Sequence, residues 1–258
     1  MDLIEHNRAA WNRESAAGSA WSTPVSAELL EAARAGHWQV ILTPTQPVPR
    51  EWFGELRGRQ VLCLASGGGQ QAPILAAAGA TVLSFDLSDE QLRKDREIAV
   101  REGLPLTTLR GDMRDLSALA SAQFDLVFHP VSNVFVPDVM PVWRECFRVL
   151  KPGGRLLTGF MNPWMFLFDH DEAERSGVLT VRHCLPYAEP DSLQADARAA
   201  WQASGRAAEF SHSLQAQIGG QLQAGFHLVG LYEDHWNDEA TPLNRHAPLA
   251  LATCALKP

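Results

Sequence analysis

Three groups of side chains along this chain have the types and the spacing to hold a nucleotide-like ligand. The first is VLCLASGGGQ, an apolar run that ends in Gly67, Gly68 and Gly69. Glycine has no Cβ, so a backbone of this kind can approach a ligand closely where a strand turns into a helix. The second is Asp86, 17 residues beyond Gly69, where a carboxylate can accept both hydroxyls of a ribose. The third is Gly111, Asp112 and Met113, which sets an acceptor for an adenine amino group beside a soft side chain suited to the ring face. The first two have plainer readings, a structural turn for the glycines and a helix N-terminal charge for Asp86. Gly67, Gly69 and Ala72 also satisfy GxGxxA, so the loop and Asp86 alone fit a nicotinamide-dependent oxidoreductase equally well.

The elements that must position these groups are legible from hydrophobic periodicity. Residues 58–160 alternate short apolar runs, at 61–65, 81–86, 106–112, 124–129 and 155–160, with helical patterns. That alternation predicts βαβ units and a parallel sheet. Pro73 falls in the first turn of the helix after the glycine loop, and Ser88 with Gln91 predicts a capping box for the helix DEQLRKDREIAVRE, which Gly103 and Pro105 terminate. The helix PDVMPVWRECFRVL runs into KPGG, a tight turn back into the fifth strand.

Residues 1–55 hold no strand-like run and read as a helical N-terminal cap ending in the extended TPTQPVPR. Residues 161–210 break the βα rhythm and read as an insertion, followed by a helix over 213–226 and β-rich segments at 227–236 and 249–256. The expected fold is therefore α/β, a doubly wound, mostly parallel seven-stranded sheet closed by an antiparallel pair, with the core over 56–258.

With the KPGG turn, the closing strands and the three acid and glycine motifs together, the chain resembles the class I S-adenosylmethionine (SAM)-dependent methyltransferases. The resemblance implies that Gly67 and Gly69 lie against the methionine part of SAM, that Asp86 holds the ribose, that Leu87 packs on adenine, and that Asp112 and Met113 border it. Where the family loop carries an acid and then Gly-x-Gly-x-Gly, this chain has Cys63 and Ala65, which leaves the Ala65 and Ser66 carbonyls to meet the SAM amino group. The segment HPVSNVFVPD lies in the family at the methyl end of the cofactor. His129 and Asn133 are its candidate catalytic residues, His129 as a base or as a hydrogen-bond donor to cofactor or backbone, Asn133 as an acceptor-orienting or turn residue. HPVSN lacks the Asn/Asp, double-proline and aromatic pattern of enzymes that methylate amino groups of bases or of glutamine.

The net charge of -8 and pI near 5.6 argue against nucleic acid as partner. The N-terminus lacks a secretory apolar stretch and no run is long enough to span a bilayer, so the expected setting is cytoplasmic, with no membrane partner. Cys63, Cys146, Cys184 and Cys254 lie far apart without CxxC, and neither His183 with Cys184 nor Asp169, His170 and Asp171 makes a convincing ligand set. No metal is expected. A small-molecule acceptor is, in a pocket for which Trp11, Trp21, Trp164, Phe166, Tyr187 and His212 are available. A non-catalytic SAM-binding protein of the same fold, and an oxidoreductase, are the alternatives.

Overall fold

The structure, a computed structural model, describes residues 2–237 and 240–258. Two helices open the chain, α1 (Leu3–Ala16) and α2 (Ala27–Arg34), capped by the side chains of Asp2 and Ser26. There follow β1 (Gln60–Leu64), α3 (Gln71–Ala77), β2 (Thr81–Asp86), α4 (Asp89–Glu102), β3 (Leu106–Arg110), β4 (Phe124–His129), α5 (Met140–Val149) and β5 (Leu150–Met161). After β5 come α6 (His170–Ser176), α7 (Glu189–Ser192) and α8 (Ala195–Ser204). A π turn (Gln215–Gly219) then leads into α9 (Gly220–Ala224), β6 (His227–Asp234) and β7 (Ala250–Leu256).

The sheet has seven strands in the order β3-β2-β1-β4-β5-β7-β6. Pairs from β3 through β5 are parallel, while β7 runs antiparallel to both β5 and β6. The expected fold is the observed one. β1 is buried at four consecutive positions because helices cover both faces of the sheet. From β1 the chain winds outward to β3 and then returns to add β4 and β5 on the other side. The switch point between β1 and β4 opens a crevice at the carboxyl ends of the strands, the position where ligands bind in open α/β sheets.

Two local expectations are refined. KPGG is not a turn ahead of the fifth strand but lies inside β5: Leu150 already pairs with Phe124, and the register then jumps so that Leu126 pairs with Arg155. The helix expected over 213–226 is broken by the π turn, where Trp143 Nε1 donates to the Ala216 carbonyl at 2.9 Å and draws it out of the helical ladder.

α1 and the turn after it close over the crevice. Asn12 Oδ1 accepts from Ser88 Oγ at 2.7 Å and from the Glu90 N–H at 3.2 Å, Lys94 Nζ donates to the Ser15 and Ser22 carbonyls, and Arg8 pairs with Asp89. Ser88 also caps α4 by accepting from the Gln91 N–H, half of the predicted capping box; the Gln91 side chain turns elsewhere. Among the described residues, no helix is long and apolar enough to cross a membrane.

Candidate functional site

A cavity of about 300 Å³ occupies the switch-point crevice, between the carboxyl ends of the parallel strands and α1. Its walls include Ala65, Ser66, Gly67, Asp86, Leu87, Asp112 and Met113, so residues scattered over 65–113 in sequence share one surface. Each sits at the end of a strand, where parallel pairing brings successive strand ends into line.

The loop after β1 is shaped by its neighbours. Ala65 has φ +48°, in the left-handed region that favours glycine, and its N–H donates to the Phe85 carbonyl at 2.7 Å. The backbone thus keeps the conformation that glycine would adopt freely, at the cost of local strain. Asp86 Oδ2 accepts from the Gly67 N–H at 3.0 Å and Oδ1 from the Ser88 N–H at 2.9 Å. Burial raises the Asp86 carboxyl above its usual range, and these backbone donors pull it back. Ser66 Oγ and Gln91 Oε1 line the same cavity, are buried, and have no hydrogen-bond partner among the described residues. Asp112 is held by Arg114, which meets it through Nε at 3.0 Å, Nη2 at 2.5 Å and its backbone N–H at 2.9 Å.

Gly69 stands one layer behind the wall. Its N–H donates to Asp95 Oδ1 at 2.7 Å, and Ser84 Oγ donates to Oδ2 at 2.6 Å, so a fully buried carboxyl on α4 ties the glycine loop to β2. Burial pushes Asp95 up to about 7, against the pull of its Ser84 and Gly69 bonds. An unfolded aspartate ionises near pH 3.9. Between about pH 4 and 7 the native chain therefore keeps a proton that the unfolded chain has released, and this contribution to stability is lost as pH rises through that window. Urea unfolding should show wild type losing stability against Asp95→Asn by up to about 1.4 kcal/mol per pH unit in that window, with a constant difference above about pH 7. The amide can accept from Gly69 and donate to Ser84 without titrating, so parallel stability curves would show that Asp95 is already ionised.

The structure brings neither His129 nor Asn133 to the cavity wall. His129 is fully buried at the end of β4, its Nδ1–H donates to the Leu64 carbonyl at 2.9 Å, and its ring meets Trp143 edge to face. Burial holds it neutral, down at about 4. Of the roles read for it, this geometry fits the backbone donor that fastens β1 to β4. Asn133 starts a 3₁₀ turn (Asn133–Phe135) and its buried amide exchanges two 3.1 Å hydrogen bonds with Gln217.

The rest of the cavity is mostly apolar. Trp11, Trp21 and Phe166 line it as expected of the available aromatics, whereas Tyr187 stacks behind Phe166, Trp164 donates to the Pro248 carbonyl, and His212 bonds the Asn133 carbonyl. Sequence reasoning passed over Ile4, Asn7, Phe135, Met165, Glu209 and Trp236, which also line it. One signal for Glu209 was available, a lone acid flanked by apolar residues in RAAEFSH. Among the described residues, no group of three or more His, Cys, Asp or Glu side chains converges as a metal site would.

The family described as Methyltransferase domain matches residues 62–158, the stretch that supplies the glycine loop, Asp86, Asp112 and strands β1 to β5. Over 232 residues the chain is 48% identical to "Uncharacterized methyltransferase YbaJ" of Bacillus subtilis (strain 168), covering 90% of this chain and 91% of that one. It is 32% identical over 163 residues to the "Ubiquinone biosynthesis O-methyltransferase" of Bordetella avium (strain 197N), covering 60% of this chain and 68% of that one. Among solved structures, an S-adenosylmethionine-dependent methyltransferase from Mesorhizobium loti superposes with a TM-score of 0.61 at 21% identity, over 80% of this chain and 94% of that one, a likeness of fold. With the sheet order, the strand-end acids and these relatives in agreement, the chain belongs to the class I SAM-dependent methyltransferases and is an enzyme of that family.

Proposed function

We propose that this enzyme transfers the methyl group of SAM to a small-molecule acceptor, with both bound in the single switch-point cavity. The observation that carries the reading is that one cavity is lined at once by the strand-end residues Ala65 to Gly67, Asp86, Leu87, Asp112 and Met113 and by the aromatic side chains of the cap and insertion. SAM supplies an electrophilic methyl on a good leaving group, so the protein's main tasks are alignment and exclusion of water.

The residues present fit that cofactor. A Cβ on Gly67 would lie 2.8 Å from Gln91 Cβ and 3.2 Å from Asp86 Oδ2, so only glycine leaves this part of the cradle open. Ser66 Oγ and Gln91 Oε1, without a hydrogen-bond partner among the described residues, are polar atoms that a polar ligand would satisfy. Asp86 would hold the ribose, Leu87 and Met113 the adenine faces, and Asp112, steadied by Arg114, the adenine edge. The cap, tied to α4 through Asn12 and Lys94, shields the far side. An acceptor of modest size follows from the cavity volume and its apolar walls, and the name of the Bordetella relative, an O-methyltransferase, supports the same class.

Calorimetric titration of the purified chain with SAM, S-adenosylhomocysteine and NAD tests the reading. Micromolar binding of the two sulfur nucleotides without NAD is expected; binding of NAD alone would overturn it.

A further inference from the structure

Glu209 stands apart from the other carboxylates of the cavity. Asp86 and Asp112 lie at strand ends and accept hydrogen bonds from Gly67, Ser88 and Arg114. Glu209 comes from the far side, between α8 and the π turn, and its carboxylate accepts no hydrogen bond among the described residues. The nearby guanidinium of Arg206 instead faces Glu189, at 3.6 Å, and Asp171, at 3.9 Å.

The backbone on both sides of Glu209 is fixed to the segment after β4. The Phe210 N–H donates to the Val134 carbonyl at 2.8 Å. Asn7 bridges the other side, accepting from the Ala208 N–H at 2.8 Å while its amide donates to the Phe135 carbonyl at 2.9 Å. Asn7, Ala208 and Phe210 are all buried. Glu209 is therefore mounted at three points beside the 133–135 turn, in a cavity whose walls also include Ile4, Trp11, Val134, Phe135, Met165 and Phe166. Two polar residues of the lining are committed elsewhere, Asn7 to backbone and Ser132 to the Pro130 carbonyl. A carboxylate that lines the cavity with no donor of its own is available to accept a proton or hydrogen bond from what enters it.

We propose that Glu209 is the catalytic base for the acceptor, receiving the proton of a neutral hydroxyl group carried on an otherwise apolar small molecule. The inference rests on the methyltransferase reading of the cavity. As the acceptor's O–H bond breaks, the proton passes to the Glu209 carboxylate. The electron pair left on oxygen forms the new O–CH₃ bond, while the carbon–sulfur bond of the sulfonium breaks and its pair leaves on S-adenosylhomocysteine. Glu209 then releases its proton to solvent.

The electrostatics suit that task. Burial first, then the Glu189 carboxylate, push Glu209 up to about 7, with Arg206 opposing. A general base poised near the working pH accepts a proton with the best balance of ionisation and driving force. The groups around it are Glu189 on α7, Arg206, the Tyr187 hydroxyl, which burial and both glutamates raise, and, from α6, Asp171 through its contact with Arg206. None places a positive charge directly on Glu209.

Three measurements on the full chain and on Glu209→Gln and Glu209→Asp decide it. In protein carrying ¹³C-labelled glutamate carboxyls, the resonance missing from Glu209→Gln should titrate near pH 7; a midpoint at the ordinary glutamate value of about 4.3 would overturn the proposal. Calorimetry should find SAM affinity unchanged in both variants. Failure of wild type to bind SAM would instead sink the methyltransferase reading, leaving the titration intact. With catechol and benzyl alcohol as probes, Glu209→Gln should lose about 10²- to 10⁴-fold in kcat together with the acid limb of the pH profile, and Glu209→Asp should regain part of both. Equal turnover by wild type and Glu209→Gln, or transfer to benzylamine that the substitution leaves unchanged, would overturn it.

Discussion

Replacing Asp86 with alanine is expected to weaken SAM binding by about 100-fold or more, measured by calorimetric titration. Each carboxylate oxygen of Asp86 already accepts one backbone N–H, from Ser88 and from Gly67, and retains a second lone pair at the cavity wall. A ribose would offer two hydroxyls to those lone pairs. Hydrogen bonds to a charged group contribute about 1.5–3 kcal/mol each, so losing two costs about 3 kcal/mol or more, and every 1.4 kcal/mol is a factor of ten in affinity. The same substitution removes the acceptor that orients the Gly67 N–H, so the glycine cradle loosens as well. Asp86→Asn keeps one carbonyl acceptor and should lie between wild type and alanine. Unchanged affinity in a folded Asp86→Ala protein would remove the ribose assignment.

The largest expected loss of stability comes from Trp143→Ala, about 3–5 kcal/mol in urea unfolding. Trp143 is 0% exposed, packs on α5 among the buried side chains beneath the sheet, and its Nε1 donates to the Ala216 carbonyl at 2.9 Å. The neighbouring chain is shaped around it: a Cβ on Gly220 would lie 2.7 Å from Trp143 Cδ1, so glycine is what allows α9 to approach so closely. Alanine would leave a cavity that this tightly tied region cannot collapse to fill, and would orphan the Ala216 carbonyl at the π turn. For a domain whose total stability is about 5–15 kcal/mol, that is about a fifth or more of the whole. Trp143→Phe preserves most of the volume but not the donor, and should cost about 1–2 kcal/mol. A loss below about 1 kcal/mol for alanine would mean that the ring is not part of the packed core.

The two substitutions probe different layers of the same construction. Asp86 lines the cavity itself, whereas Trp143 holds α5, the π turn and the His129 ring together behind it. His129 in turn fastens β4 to the Leu64 carbonyl, at the switch point on which the cavity depends.

What the sequence by itself determined is local and periodic. Apolar runs separated by helical patterns specify parallel strands with covered faces, and strand-to-helix turns specify where Gly67, Asp86, Asp112 and Met113 must emerge, because the side chain at a parallel strand's carboxyl end has one crevice available to it. Ser88 and Gly103 bound α4 through caps that involve neighbours only a few residues away. Tertiary structure decided everything that depends on distant partners. Whether His129 faces ligand or backbone depends on the Leu64 carbonyl across the sheet, and burial there leaves it neutral. Which aromatics line the cavity depends on how the cap and insertion fold over the strand ends, so Trp11 and Phe166 do while Trp164 and Tyr187 do not. Glu209 is the clearest case. Its placement rests on Asn7, some 200 residues away, gripping Ala208 and Phe135 together, and no periodicity in either segment encodes that contact. Helix and strand patterns record the face that a residue turns toward its own element's core; they carry no information on which remote backbone will meet it, and that meeting is settled only when the packed chain satisfies its buried donors and acceptors.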